Sequence, residues 1–129
     1  MEAATLSYLD THVLVYLYQG DVDLLGPRAK YSIESSQLMV SPMAVLELEF
    51  LAEIGRLQVT ASEIITALGS EIGLRVCDIP FRAIADQATR EKWTRDPFDR
   101  LIVANAYVAH AHLVTKDERI LANYQLALW

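Results

Sequence analysis

The stretch "LSYLDTHVLVYLY", residues 6–18, decides the fold, because an apolar strand gives way to an apolar helix at a single aspartate. "LSYL" (6–9) predicts a short strand that ends at Asp10. An apolar helix is expected to follow, from about Thr11 to Tyr18. A strand that leads directly into a helix is half of the repeating unit of α/β proteins. The rest of the chain decides whether that unit is repeated.

Strands and helices do alternate along the remaining sequence. Further strands are predicted at 37–41, 74–79 and 112–115, with a possible fifth at "LALW" (126–129). Helices are predicted at about 43–54, 61–71, 80–93 and 118–124, and from Asp96-Pro97 onward. Gly20 and Gly26-Pro27 are interpreted as breaks. The alternation predicts an α/β fold with a mainly parallel sheet.

Length and composition indicate one ordered globular domain, residues 1–129. The chain is 53% hydrophobic and 22% charged, which is typical of folded proteins and not of disordered ones. No apolar run reaches the ~18 residues that a membrane span needs, and no basic segment precedes an apolar one as in a secretory signal. Cys77 is the single cysteine, so it has no internal disulfide partner and is expected to be buried. We therefore expect a cytoplasmic protein without a membrane partner.

The net charge of −6 argues against a protein that grips nucleic acid by bulk positive charge. The basic residues are nevertheless concentrated, because seven of the eleven lie between Arg82 and Arg119. This concentration has two interpretations: a solvated helix face, or a local surface that contacts phosphates.

The predicted 43–54 helix places Glu47 in the middle of an apolar stripe. At about 100° per residue, the positions within roughly 60° of it are Met43, Phe50, Leu51 and Ile54. Glu49 and Glu53 fall on the opposite face. An ionised carboxylate among apolar side chains needs a cation, a hydrogen-bond network or a wet cleft. The alternative is that Glu47 reaches the rim of the stripe or pairs with an arginine.

The segment "DPFDRLIVANA" (96–106) contains two aspartates at the start of an apolar helix. Asp96 is the better helix cap because it directly precedes Pro97. Asp99 shares a helix face with Ile102, Val103 and Ala106, although its negative charge also suits the first turn of a helix. Asp99 is therefore not required as the helix cap, and its carboxylate is available for a functional role.

Asp10 and Asp117 follow predicted strands one and four, where α/β proteins bind ligands. Each aspartate could instead cap the helix after it. Four carboxylates cannot share one site without opposing charge, so a divalent cation is the natural neutraliser. Oxygen ligands without a cysteine or histidine cluster favour Mg²⁺ or Mn²⁺ over zinc.

Four segments together resemble a PIN-domain ribonuclease, in order and approximate spacing, and most closely the toxin component of VapBC-type toxin–antitoxin pairs. They are "YLDTHVLVYL", "VSPMAVLELEFL", "DPFDRLIVANA" and "LVTKDERI". The resemblance covers nearly the whole chain. It implies a three-layer α/β/α sandwich with a central, mainly parallel sheet of about five strands. It also implies a cytoplasmic, metal-dependent endoribonuclease, with RNA as substrate, an antitoxin protein as partner, and a homodimer.

The resemblance assigns the four acids to catalysis and metal binding: Asp10 matches the first acid, Glu47 the second, Asp99 the third and Asp117 the fourth. Supporting residues are Thr11, Thr115 and, more peripherally, Asp96. Candidate RNA contacts are Arg95, Arg100, Lys116 and Arg119, although an arginine of the "DPFDR" segment could equally form an internal ion pair. The chain departs from common family residues at Leu46, Thr94 and Asn105.

Two other function classes deserve comparison with a nuclease. A PIN-fold protein without catalysis, acting as an RNA- or protein-binding module, stays open. A phosphatase of the haloacid-dehalogenase type needs a second aspartate where His12 stands. The histidines at positions 12, 110 and 112 are expected to be structural, and no Ser/His/Asp set or glycine-rich phosphate loop is present.

Overall fold

The computed structural model describes residues 5–129, so the first four residues of the predicted domain lie outside it. Within the described residues there are five strands: β1 (Leu6–Leu9), β2 (Gln37–Val40), β3 (Arg75–Val76), β4 (His112–Val114) and β5 (Ala127–Leu128). The same part of the chain forms seven α-helices: α1 (Thr11–Gln19), α2 (Pro27–Ser35), α3 (Pro42–Glu53), α4 (Ala61–Ile72), α5 (Phe81–Ala88), α6 (Pro97–Val108) and α7 (Glu118–Asn123). A short 3₁₀ helix, Val22–Leu24, follows α1.

The five strands form one sheet in the order β3-β2-β1-β4-β5, and each neighbouring pair is parallel. Together with the helices, the sheet makes a three-layer α/β/α sandwich, which confirms the predicted fold class. The chain builds outward from β1 through β2 to β3, and then returns to the other side of β1 with β4. The order therefore reverses between β1 and β4, and the carboxyl ends of these strands are where such sheets bind ligands.

The core lies along β1 and the helices that cover it. Tyr8 and Leu9 of β1 are at most 2% exposed, and Leu14, Leu48 and Ile102 are buried equally well. Burial of aliphatic and aromatic side chains of this size contributes roughly 1.5–3 kcal/mol each. The segment that decides the fold in the sequence is thus also the centre of the packing.

Helix starts follow the capping chemistry expected from the sequence. The Ser41 hydroxyl accepts a hydrogen bond from the Met43 N–H at 3.1 Å, with Pro42 at the first helical position of α3. Asp96 caps α6 by accepting from the Asp99 N–H at 3.1 Å. These caps fix where α3 and α6 begin and therefore which side chains their first turns present.

Three predicted elements differ from the structure. The interpretation of Gly26-Pro27 as a break was incomplete, because Pro27 is the first residue of α2, a helix that was not predicted. The third strand is limited to two residues at the edge of the sheet. Helix α5 ends at Ala88 and not near Trp93, since the Thr89 hydroxyl bonds the Asp86 carbonyl at 2.6 Å and replaces helix-continuing contacts.

The apolar stripe around Glu47 does not face the core. Phe50 and Ile54 are 47% and 50% exposed, whereas the buried residues of α3 are Ala44 and Leu48. Glu49, expected on the solvent face, is half-buried and accepts a hydrogen bond from the Ala61 N–H at 3.1 Å. Helix α3 therefore packs on a face about 60–100° away from the predicted one.

Cys77 is 5% exposed, so the predicted burial of this thiol is confirmed. Its sulfur accepts a hydrogen bond from the Asn105 side-chain amide at 3.2 Å. Across residues 5–129, none of the helices combines the length and the apolar character needed to cross a bilayer.

Candidate functional site

Asp10 is held rigidly at the end of β1. Its Oδ1 accepts a hydrogen bond from the Thr11 N–H at 2.8 Å, as the cap of α1, and its Oδ2 accepts one from the Thr115 hydroxyl at 2.7 Å. The side chain is buried, with 5% of the residue exposed. The second bond joins residues 105 positions apart, so it ties the end of β1 to the end of β4.

Asp117 lies beside it, two residues after Thr115. Its Oδ1 caps α7 by accepting from the Arg119 and Ile120 N–H groups at 2.9 and 3.2 Å. The Thr115 hydroxyl accepts from the Asp117 N–H at 3.0 Å while it donates to Asp10. One buried hydroxyl therefore contacts both strand-end acids, at Oδ2 of Asp10 and at the backbone N–H of Asp117.

The other two acids come from helices. Glu47, on α3, accepts a hydrogen bond from the Thr11 hydroxyl through Oε1. Asp99, in the first turn of α6, has no hydrogen-bond donor on its carboxylate among the residues that the structure describes, because Asp96 serves as the cap. Thr11 therefore links Asp10 to Glu47, whereas Asp99 is held only by its helix.

All four acids line one open cavity of about 370 Å³. The other residues that line it are Thr11, His12, Val15, Tyr16, Leu51, Arg56 and Leu57. Within residues 5–129, no three acidic, histidine or cysteine side chains are already gathered tightly enough to enclose a metal ion. The cavity is therefore lined by carboxylate oxygens, but their present arrangement does not form a complete coordination shell.

The electrostatics show mutual repulsion of the acids. Burial, followed by the nearby charges of Asp96, Asp10, Asp117 and Glu47, raises the pKa of Asp99 to about 7. Burial also raises the pKa of Glu47, against the lowering effect of the Thr11 hydrogen bond. An electropositive occupant of the cavity would relieve both effects.

His12, expected to be structural, lines the cavity and also contacts residues outside it. Its Nδ1 lies 3.7 Å from Asp10 Oδ2, and its Nε2 accepts a hydrogen bond from the Lys116 N–H at 3.0 Å. The ring also makes edge contacts with Tyr16 and Trp129, at centroid distances of 5.9 and 6.0 Å. Burial lowers the pKa of His12, which favours the neutral ring, although Asp10 acts in the opposite direction.

The structure places the four candidate RNA contacts, Arg95, Arg100, Lys116 and Arg119, outside the residues that line the cavity. Arg100 Nε donates to the Thr94 carbonyl at 2.9 Å, and an Arg119 guanidinium nitrogen donates to the Trp93 carbonyl at 2.7 Å. The Lys116 ammonium lies 4.9 Å from the centroid of the Tyr16 ring. Arg95 reaches the Lys92 carbonyl at 3.3 Å.

Arg56 is the arginine that lines the cavity, and the sequence reasoning did not identify it. It is exposed and follows the end of α3, after Gly55, whose φ of +82° turns the chain. The sequence did contain an indication of this position. Arg56 is a basic residue just beyond the helix that carries Glu47, where the chain turns back toward the end of the sheet that holds the acids.

The family model for the PIN domain matches residues 7–125. No curated protein gives a significant match to the sequence. Among solved structures, the VapBC2 complex of Rickettsia felis bound to a promoter DNA fragment superposes with a TM-score of 0.69 at 17% identity, covering 97% of this chain and 98% of that chain.

Two further structures have the same fold. A toxin–antitoxin complex from Klebsiella pneumoniae gives a TM-score of 0.65 at 19% identity, with 95% of this chain and 96% of that chain covered. VapBC-1 from nontypeable Haemophilus influenzae gives 0.59 at 18% identity, with 97% and 96% covered. At such low identity, these likenesses establish the shared fold and nothing about chemistry.

Proposed function

This chain belongs to the PIN domain family, and on that premise we propose that it is a metal-dependent endoribonuclease. The observation that carries the proposal is the convergence of Asp10, Glu47, Asp99 and Asp117 on one cavity, at the edge where the strand order reverses. These residues come from four separate parts of the chain. The proposed activity is carried by a single domain.

The donor set fits Mg²⁺, with Mn²⁺ as a substitute. All four candidate ligands are carboxylates, and hard divalent cations prefer such oxygens. Asp99 supports the fit independently, because a cation beside it would stabilise the anion of a carboxyl whose pKa is otherwise raised to about 7. Asp10, Asp99 and Asp117 would hold the ion, and Glu47 would complete its surroundings.

When bound, such an ion lowers the pKa of water and stabilises charge on a phosphate. Asp10 keeps its orientation through Thr11 and Thr115, so its oxygens face the cavity without rearrangement. Glu47, whose pKa is raised, is the group that orients the attacking water and receives its proton. The water oxygen forms a bond to phosphorus as the P–O3′ bond breaks, and the departing O3′ takes a proton from solvent water, which leaves a 5′-phosphate and a 3′-hydroxyl.

Arg56 is the residue that we assign to the RNA backbone at this cavity, since a guanidinium matches the geometry of a phosphate. Lys116, placed by Tyr16 at the cavity edge, provides a second cation. Arg95, Arg100 and Arg119 would meet RNA only beyond the cavity. The net charge of −6 means that these local cations, and not the whole protein, supply the attraction.

We further propose that the chain acts as a toxin restrained by an antitoxin protein in the cytoplasm, and that it forms a homodimer. The support is the likeness of its fold to toxin–antitoxin complexes. An exposed apolar stripe, formed by Leu46, Phe50 and Ile54 on α3, offers surface for a protein partner.

The test compares acid variants with matched controls on labelled RNA. Asp10→Asn and Glu47→Gln should each lower cleavage by on the order of 10²–10³-fold, because each removes a charged group from the reacting centre. Glu53→Gln, on the exposed face of the same helix as Glu47, should cleave like the wild type. EDTA should stop cleavage, and Mn²⁺ should restore it.

Full cleavage by both variants in clean preparations, or cleavage indifferent to EDTA, contradicts the nuclease assignment. Wild-type protein that binds RNA tightly with Mg²⁺ present and never cuts it would favour the alternative, a PIN-fold binding module.

A further inference from the structure

His12 connects the two loops that carry the strand-end acids. It lies in the first turn of α1, two residues after Asp10, and its ring reaches across to the loop after β4. There its Nε2 receives the Lys116 N–H at 3.0 Å, a bond between residues 104 positions apart. Lys116 is the residue directly before Asp117, so this bond fixes the backbone from which Asp117 projects.

The bonding partners determine the tautomer of the ring. Because a backbone N–H can only donate, Nε2 must present its lone pair to Lys116. The proton of the neutral ring is therefore on Nδ1, the nitrogen that lies 3.7 Å from Asp10 Oδ2. The ring thus presents an N–H toward one acid and an acceptor toward the backbone of the other.

We propose that His12 is a positioning residue that sets the separation of Asp10 and Asp117 by accepting the Lys116 N–H. The role rests on the proposed nuclease function, since it prepares these two acids to share an ion. The competing account is that His12 only fills space between Tyr16 and Trp129, which its ring contacts. The two accounts differ on whether the acceptor at Nε2 is needed or the ring shape is sufficient.

Two substitutions separate these accounts. His12→Phe keeps a ring between Tyr16 and Trp129 and removes the acceptor. His12→Gln loses the ring and keeps an acceptor oxygen at a similar distance from the backbone. His112→Phe is the matched control, because His112 lies at the amino end of β4, away from the acids.

The first readout is amide hydrogen exchange in metal-free protein, which does not depend on any catalytic activity. In His12→Phe the Lys116 amide should exchange at least tenfold faster than in the wild type, whereas in His12→Gln it should stay within threefold. The second readout is the Mn²⁺ concentration that gives half-maximal binding, measured by calorimetry. His12→Phe should raise it about 10- to 100-fold, as is usual when a supporting residue of a metal site is lost.

A third measurement needs no variant and therefore remains decisive if His12→Phe does not fold. The ¹⁵N chemical shifts of the His12 ring in wild-type protein should report a proton on Nδ1 and none on Nε2. A proton on Nε2 overturns the proposal. So does equal behaviour of the Phe and Gln variants in exchange and Mn²⁺ binding, whether both match the wild type or both are impaired.

Failure of the nuclease assignment is distinguishable from failure of this inference. If Asp10→Asn cleaves RNA normally while the Lys116 amide still depends on the acceptor at position 12, the positioning contact stands and the reaction assigned to the cavity is wrong.

Discussion

The two strand-end acids and the two helix-borne acids reach the same cavity in different electrostatic circumstances. Asp10 and Asp117 are caps of α1 and α7, so their oxygens already accept hydrogen bonds from the protein. Glu47 and Asp99 have little such support, and burial raises the pKa of both. The comparison teaches that the strand-end half, Asp10 and Asp117, stabilises the fold. The helix-borne half, Glu47 and Asp99, lowers the stability of the fold when its carboxylates are charged.

The largest effect expected from this comparison is on the strand-end half. Asp10→Ala should lower the free energy of unfolding by about 2–3 kcal/mol, because it removes the cap of α1 and leaves the buried Thr115 hydroxyl without its acceptor. Urea denaturation in EDTA measures the loss. Asp86→Ala, on the exposed face of α5, is the control and should change stability by less than about 0.5 kcal/mol. An equally small change for Asp10→Ala would contradict the conclusion that the strand-end acids stabilise the fold.

The helix-borne half should make the metal-free protein less stable as pH rises. The pKa of Asp99 rises from 3.8 to about 7 on folding, so its protonated form favours the folded state. That contribution is complete below pH 3.8 and is lost as pH rises through about 7. Metal-free wild-type protein should therefore lose about 1–2 kcal/mol from this group between pH 4 and 8, after allowance for solvent screening at this half-buried site.

Asp99→Asn should abolish this loss of stability at high pH, because an asparagine side chain does not ionise. Thermal unfolding in EDTA at pH 8 should give a higher midpoint for Asp99→Asn than for the wild type, by about 5 °C. Addition of Mg²⁺ should raise the midpoint of the wild type and leave that of Asp99→Asn nearly unchanged. A lower midpoint for Asp99→Asn in EDTA would mean that its carboxylate supports the fold as Asp10 does, and the contrast between the two halves would disappear.

The smallest effect concerns the cation that faces the four acids. Arg56→Ala should weaken RNA binding by about fivefold and reduce the dependence of binding on salt by about one phosphate contact, because Arg56 is exposed. Binding is measured in an Asp99→Asn background, where RNA stays intact. Arg28→Ala is the control, since Arg28 lies in the pocket at the opposite edge of the sheet, with Thr5, Ser36 and His112. Equal losses for both variants would indicate nonspecific attraction.

Much of the fold was predictable because local chemistry and tertiary packing agree. Asp10 ends a strand, Ser41-Pro42 starts a helix, and Asp96 is a cap, and each follows from residue type alone. Helix α2 was missed because the residues that it buries, Ala29 and Ser32, are too small to produce an apolar periodicity. A helix packed through such side chains has no signal in hydropathy.

The four acids were predictable as a set, but their surroundings were not. The sequence shows that Glu47 lies among apolar residues, yet the same pattern would arise in a core or at an open cavity. Only the packing of α3 through Ala44 and Leu48 decides between them. The hydrogen bond between Lys116 and His12 joins residues 104 positions apart, so no local pattern encodes it. Arg56, just beyond the helix that carries Glu47, was the one of these features with a local indication in the sequence.

The hydrogen bond between Thr115 and Asp10 has a consequence for biosynthesis. Since β1 pairs with both β2 and β4, one long edge of the central strand stays open while the ribosome makes the first hundred residues. The fourth acid, Asp117, follows β4 in the chain and joins the other acids only after β4 has paired. The proposed nuclease would therefore have its complete set of acids only when its translation is nearly finished.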